Sequence, residues 1–398
     1  MGETRALECF ILRGGTSRGI FFLASALPDD RATIERILLN VFGSPDVRQI
    51  DGLGGATSQT SKAAIIGPPS RSDADVDYTF AQVSTGSPLV DWGGNCGNLS
   101  SAVGPFAIDA GLVPATGELT TVRIHNTNTN KLIVAQVPTA DGRALVGGTY
   151  AIPGVPGTGA RILLEFTDPA GSVTGALLPT GRPRDEITLA DRRTVAVSVV
   201  DAGNPTVFVP ADALGMSGRE LPSEIEARRD VTDALEEIRS IVAEWLGIVP
   251  DRRVATAASP GLPKVGFVAA PREYLTTTGE RVPAGAADVA GRLMSMQTAH
   301  RSYMVTGAIC TGAAAFIEHS VVHDITRPAG NRPDGDTIRI AHPYGVMEVI
   351  VRSDPGTDPV RVAGVSVGRT ARHILDGVVW VPEALFTPVV SPLPAGAA

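Results

Sequence analysis

The chain has 398 residues, 43% of them apolar and 19% charged, with a formal net charge of −8. That length fits two domains with a core each, and the acidic balance excludes a general electrostatic footprint for nucleic acid or an anionic membrane. The cysteines, Cys9, Cys96 and Cys310, form no disulfide framework, no apolar run reaches the roughly 18 residues of a transmembrane helix, and MGETRALECFILRGG is no secretory leader, so the expected location is the cytoplasm.

The 44 glycines and 30 prolines suit many short strands joined by tight turns. ALECFILR (6–13) and GIFFLAS (19–25) flank GGTSR and predict a strand–loop–strand. DDRATIERILLNVFG (29–43) predicts a helix capped by Asp29 or Asp30, with Ile34, Ile37, Leu38 and Val41 on one face. Strands are expected at 75–84, 120–128, 131–137, 144–150 and 161–166, and a helix of small residues at 98–112. The Pro/Gly-rich stretch 168–186 divides the chain into an N-terminal domain, 1–186, and a C-terminal domain, 187–398, whose last strand is free to pack back on the first. The second half opens on TVAVSVVDAGNPTVFV (194–209), a β-run broken at Gly203-Asn204-Pro205. A helix at about 223–246 follows, with Val231, Leu235, Ile238, Val242 and Trp245 spaced as one face. Then come a strand at 264–270, a helix near 286–298, a second small-residue segment at 306–319, and strands around 337–341, 346–352 and 360–367. Cys96 and Cys310 each stand ahead of a small-residue segment, a faint echo that suggests two similar domains.

DWGGNCGNLSSAVG (91–104) is the strongest local signal. Its glycines, Gly97 among them, let backbone amides face a ligand. Cys96 stands at the expected helix start, where free N–H groups and the helix dipole favour a thiolate and can hold a carboxylate. Asn95 and Asn98 add polar handles; a small buried cysteine in a tight turn is the alternative. DGLGGATSQTSKAAII (51–66) runs from a polar loop carrying Gly55 and Ser58 into an apolar strand. Lys62 marks the junction, where desolvation would lower its pKa and make it a base. A surface lysine at a strand edge is the other reading. The P-loop spacing G-x-x-x-x-G-K-[ST] is absent. In RGGTSRG (13–19), Arg18 offers a planar fork for a carboxylate, and Thr16 and Ser17 complete an anion site. His300 and Arg301 could meet an anionic substrate from the second domain. His319 and His323 lie four apart with no HExxH and no evident third ligand, so no metal is expected.

At these loops the sequence resembles the PrpF family, named for 2-methylaconitate cis–trans isomerase. The resemblance is carried by RGGTSRGIFF (13–22), GSPDVRQIDGLGGATSQTSKAAII (43–66), DVDYTFAQVS (75–84), DWGGNCGNLSSAVGPFAI (91–108), DAGNPTVFV (201–209), PKVGFVAAP (263–271) and HPYGVMEV (342–349). It implies an α+β, diaminopimelate-epimerase-like fold: two similar domains, each a sheet wrapped around a central helix, with the active site in the cleft between them. It also implies catalysis with neither cofactor nor metal on a small anionic polycarboxylate. The resemblance gives Lys62 and Cys96 as the catalytic pair. The candidate substrate contacts are Thr16, Ser17, Arg18, Gly55, Ser58, Asn95, Gly97, Asn98, Asn204, His300 and Arg301. No nucleic acid or membrane is an expected partner; a homodimer is allowed. Two features depart from the family pattern: Arg18 stands where the family commonly has lysine in GGTSKG, and Cys310 matches no fixed family cysteine.

Chemically, removing a proton beside a vinylogous carboxylate builds enolate-like charge, so a site needs a base, donors for that charge and an acid at the far carbon. Lys62 would be the base, the Arg18 loop and helix-start amides the donors, and Cys96 the acid. Rotation in the dienolate gives cis–trans exchange; protonation at another carbon shifts the double bond. The loop wording leans toward the methylaconitate branch. The rival readings are an epimerase with Cys96 and Cys310 as two thiols, and a non-catalytic carboxylate-binding protein.

Overall fold

A computed structural model describes residues 3–327, 336–354, 356–357 and 360–387. Each half of the chain opens on an antiparallel hairpin. Thr4–Gly14 turns into Ser17–Leu23, and Thr194–Ala202 turns at Gly203 into Asn204–Pro210. Gly203 has φ +79°, the left-handed backbone that so short a turn requires. A helix then crosses to a strand parallel with the outgoing arm. In the first half Arg31–Phe42, capped by the Asp30 carboxylate, leads to Lys62–Gly67. In the second Arg229–Trp245 leads to Lys264–Ala269.

The repetition continues element by element. Val76–Val83 and Val289–Ser295 are the antiparallel neighbours of those strands. Short strands, Val90–Asp91 and Thr298–Ala299, pair back on them. The helices Gly97–Asp109 and Val305–Ala314 follow, then the returning parallel strands Leu119–Asn126 and Thr337–His342. Lys131–Ala140 and Gly345–Asp354 come next, and the repeats close on Ile162–Thr167 and Arg361–Arg369. These two closing strands pair with each other, so the sheets are continuous. A last strand, Ala371–Pro382, returns to pair with Thr4–Gly14 along its length.

Each sheet encloses one small-residue helix. All ten residues of Val305–Ala314 are buried, as is every residue from Gly97 to Ile108. Small side chains permit that enclosure: a Cβ on Gly104 would stand 2.8 Å from Val137 Cγ2. Phe106 anchors the first helix, packing edge-on to Phe10 at 5.0 Å and against Phe21 at 5.3 Å. A fully buried side chain of this size contributes about 1.5–3 kcal/mol. The two enclosed helices meet at their starts, where a Cβ on Gly97 would come within 2.6 Å of Val305 Cγ1.

Four expectations need correction. The segment near 286–298 is a strand, not a helix: every residue of Val289–Ser295 is buried between two other strands, and an apolar run without alternation does not distinguish a buried strand from a helix. Its hairpin tip, Met296-Gln297, has φ of 51° and 61°. The strand expected at 144–150 shrinks to Arg143–Ala144, with Leu145 and Val146 exposed ahead of Gly147-Gly148. The long helix is two, Pro222–Ala227 and Arg229–Trp245, and Trp245, its last residue, is exposed rather than on the buried face. The twelve-residue strand Ala371–Pro382 was not expected at all.

Candidate active site

A cleft holding about 560 Å³, open solvent at its mouth included, lies where the starts of the two enclosed helices face each other. Cys96 is the N-cap of the first helix. Its Sγ accepts the Leu99 N–H at 3.4 Å and lies 3.9 Å from Ser17 Oγ. The amides of Gly97 and Asn98, the first two helical residues, have no intrahelical acceptor, and both residues border the same cleft.

Lys62, the first residue of its strand, enters beside that cysteine. Its Nζ donates to Gln82 Oε1 at 2.5 Å and sits 5.2 Å from the centre of the Phe80 ring. Gln82 lies directly across the antiparallel ladder. It is oriented by donating Nε2–H to the Ser58 and Ser61 carbonyls at 3.2 and 2.9 Å. Burial lowers the Lys62 pKa; Cys96, through charge and side-chain contact, and Asp91 pull it back up. The result is an amine that gives up its proton more readily than a surface lysine does.

The loops around the pair are held from both halves. Asn204 Oδ1 accepts the Asn95 N–H at 3.2 Å, while its Nδ2 donates to the Asn95 carbonyl at 3.1 Å and to Thr306 Oγ1 at 3.2 Å. Both amide protons of Asn204 are thereby spent on positioning the Cys96 loop. Asn98 Oδ1 accepts the Thr16 N–H at 3.3 Å, and Thr16 Oγ1 meets Ser302 Oγ from the other half at 3.0 Å. His300 is buried, and its Nδ1 accepts the Ser302 N–H at 3.2 Å, which leaves Nε2 as the protonated nitrogen. Burial, with Lys62 and Lys264 nearby, brings its pKa down to about 4, so the ring is a neutral donor at pH 7.

Of the candidate residues, Lys62, Cys96, Ser17, Asn95, Gly97, Asn98, Asn204 and His300 line this cleft. The others do not. Arg18 lies against the neighbouring loop, where a Cβ on Gly55 would come within 2.7 Å of its Nη2. Ser58 lines an adjoining depression that shares Gln82 and Met296 with the cleft. Arg301, half exposed, pairs with Glu226 at 3.2 Å. The Gly15-Thr16-Ser17-Arg18-Gly19 run spells G-x-S-x-G, but it is a β-hairpin turn and not the strand-to-helix elbow of a hydrolase nucleophile. Among the described residues no group of three or more His, Cys, Asp or Glu is arranged to hold a metal, and no helix is long and apolar enough to cross a membrane.

Cys310 is not poised at a helix start. It lies inside Val305–Ala314, fully buried, donating to the Val200 carbonyl at 3.1 Å, and burial pushes its pKa up to about 12. Met304 holds the N-cap position that Cys96 holds in the first half. The two-thiol reading therefore lacks its second thiol. Sequence reasoning also passed over Gln82, Asp91, Thr306 and Lys264, all on the cleft. Lys264 carried a legible signal: it precedes the apolar run Val-Gly-Phe-Val as Lys62 precedes Ala-Ala-Ile-Ile.

Two repeated half-sheets, each closed on a helix, with a cleft between the helix starts, define the epimerase-like fold class. A hydroxyproline epimerase from Agrobacterium vitis shares the fold, with a TM-score of 0.55 at 14% identity over 97% of this chain and 95% of that one. The chain belongs to the PrpF family: the pattern described as "PrpF protein" matches residues 4–382. It is 44% identical over 385 residues to the 3-methylitaconate isomerase of Eubacterium barkeri, covering 96% of this chain and 99% of that protein. It is 37% identical over 388 residues to the 2-methyl-aconitate isomerase of Cupriavidus necator, covering 94% and 97%. The crystal structure of a methylitaconate-delta-isomerase matches with a TM-score of 0.79 at 43% identity, over 98% of this chain and 100% of that one. Like these relatives, the chain is an isomerase.

Proposed function

We propose that this isomerase moves a proton on an unsaturated di- or tricarboxylic acid, with Lys62 as base, Cys96 as acid, and no cofactor. The observation that carries the reading is a buried lysine and a helix-capping cysteine that line one cleft, the cysteine acting electrostatically on the lysine. Neutral Lys62 takes the allylic proton and becomes an ammonium. The electron pair left behind delocalises into the conjugated carboxylate, where the Gly97 and Asn98 amides and the neutral His300 ring supply donors. The Cys96 thiol then delivers a proton to carbon and becomes a thiolate. Passage of a proton from the Lys62 ammonium to the adjacent Cys96 sulfur restores both groups, so the cycle closes without a net proton.

Rotation within the dienolate before reprotonation gives cis–trans exchange, and this remains the reading for a 2-methylaconitate-like substrate. Protonation at the other allylic carbon gives a double-bond shift. The higher identity to the methylitaconate enzyme than to the methylaconitate one favours the shift as a second reading. The test is a panel of aconitate, 2-methylaconitate, methylitaconate and oxalomesaconate incubated with the protein in D₂O and followed by NMR. Product formation with deuterium at an allylic carbon is expected for at least one acid. The absence of both exchange and product across the panel would refute the proposal.

A further inference from the structure

Lys264 reaches the cleft from the second half of the chain at the position that Lys62 occupies in the first. Each opens the strand that runs parallel to the outgoing arm of its half's hairpin. The equivalence ends at the helix starts, where Cys96 caps one helix and Met304 the other. The half that carries Lys264 thus supplies no thiol of its own to the cleft. Among the described residues the side-chain amine of Lys264 has no hydrogen-bond or ion-pair partner, although the residue borders the cleft.

The groups that act on it are known from every side. Asp91 and Cys96 from the first half favour its charge; Lys62 and Arg239 oppose it. Arg239 is committed elsewhere, to Glu236 and to the Ser259 and Leu262 carbonyls. Asp91 is partly spent on the Gly93 N–H at 2.8 Å. His300, which Lys264 influences in turn, is neutral. Lys264 therefore brings a cationic group from the second half to a cleft whose other lining, beyond Asp91 and the Lys62–Cys96 pair, is amides, hydroxyls, the neutral His300 and apolar side chains, which suits a substrate with a carboxylate away from the reacting carbon.

We propose that Lys264, as an ammonium, binds the substrate carboxylate remote from the reacting allylic carbon and so selects polycarboxylic acids. This rests on the proton-transfer reading of Lys62 and Cys96, which fixes the end of the cleft where the reacting carbon lies. Burial lowers the Lys264 pKa to about 8. The ammonium is present below that pH and is lost as pH rises through it, so polycarboxylate binding weakens on the alkaline side.

The test uses tricarballylate, a saturated tricarboxylate with no double bond to isomerise, titrated calorimetrically into the full chain at pH 7 and pH 9. Wild type should bind more weakly at pH 9. Lys264→Gln should bind about ten- to a hundredfold more weakly at pH 7, the usual range for losing one charge-assisted hydrogen bond. Lys264→Arg, charged at both pH values, should keep most of the affinity and lose most of the pH dependence; Lys264→Met serves as a second neutral variant should Lys264→Gln misfold. A neutral variant that binds within twofold of wild type, or a Lys264→Arg protein that weakens with pH as wild type does, overturns the assignment. Because the probe is not turned over, a wild type inactive on every unsaturated acid would refute the proton-transfer reading while the titrations still decide Lys264.

Discussion

Replacing Lys62 by methionine keeps the side-chain stem and removes the amine. The structure sets two opposing effects on stability. Gln82 Oε1 loses the 2.5 Å donor it faces, and a buried acceptor left unpaired costs about 1–3 kcal/mol. Removing a desolvated polar group offsets part of that cost. The protein should therefore fold with a modest change in Tm. Its turnover should fall by about 10²–10⁴, the usual contribution of a positioned general base. Allylic exchange into D₂O, followed by NMR, separates the steps that turnover merges. Lys62→Met should lose exchange and product together. Cys96→Ala should lose product but keep exchange at the carbon facing Lys62, because the ammonium can return a deuteron to the carbon it came from. A folded Lys62→Met protein with near-wild-type exchange, or a Cys96→Ala protein that loses exchange as completely as product, would refute the division of roles.

His300 takes up its second proton only below about pH 4 in the folded chain, against about 6.5 when unfolded. The unfolded state therefore takes up more protons between those values, and stability falls as pH drops through that window, by up to roughly 3 kcal/mol from this group. His300→Gln should show a shallower Tm decline from pH 6.5 to 4.5 than wild type; an equal decline would contradict the burial argument. Gly97→Ala brings a methyl within 2.6 Å of Val305 Cγ1, which should cost about 1–3 kcal/mol and lower kcat by displacing Cys96. Adding Val305→Ala should restore much of both, measured by melting and turnover. Cys310→Ala should cost roughly 1–2 kcal/mol in chemical denaturation yet keep most of the activity, since its thiol is turned to the Val200 carbonyl. Activity as low as that of Cys96→Ala would revive the two-thiol mechanism.

What the sequence made legible was local. The hairpin around GGTSR, the Asp30-capped helix and the two small-residue helices carry their own signals in turn residues, spacing and side-chain size. Polar loops ahead of Lys62 and Cys96 marked chemistry because glycine and asparagine are poor choices for packing alone. The failures were tertiary. Val289–Ser295 is wholly buried between strands, so its periodicity is erased. What the sequence does not show of Arg18 and Arg301 is their surroundings: one lies against Gly55 and the other pairs with Glu226, and neither neighbour is near in sequence. Asn204 lines the cleft, yet only its bonds to Asn95 and Thr306 show that its amide protons are already used. Lys264 was overlooked because no glycine-rich loop precedes it.

The pairing of Ala371–Pro382 with Thr4–Gly14 has a consequence for biosynthesis. Thr4 lies opposite Pro382, and the Glu383 N–H donates to the Glu3 carbonyl at 2.9 Å. A nascent chain emerging from the ribosome must wait for nearly its whole length before its first strand gains its second neighbour. Until then that strand is an open edge, and contacts of such long range are slow to form. The same adjacency makes residues 3 and 383 natural points to join in a circular permutant, in which these two strands would become consecutive arms of one hairpin.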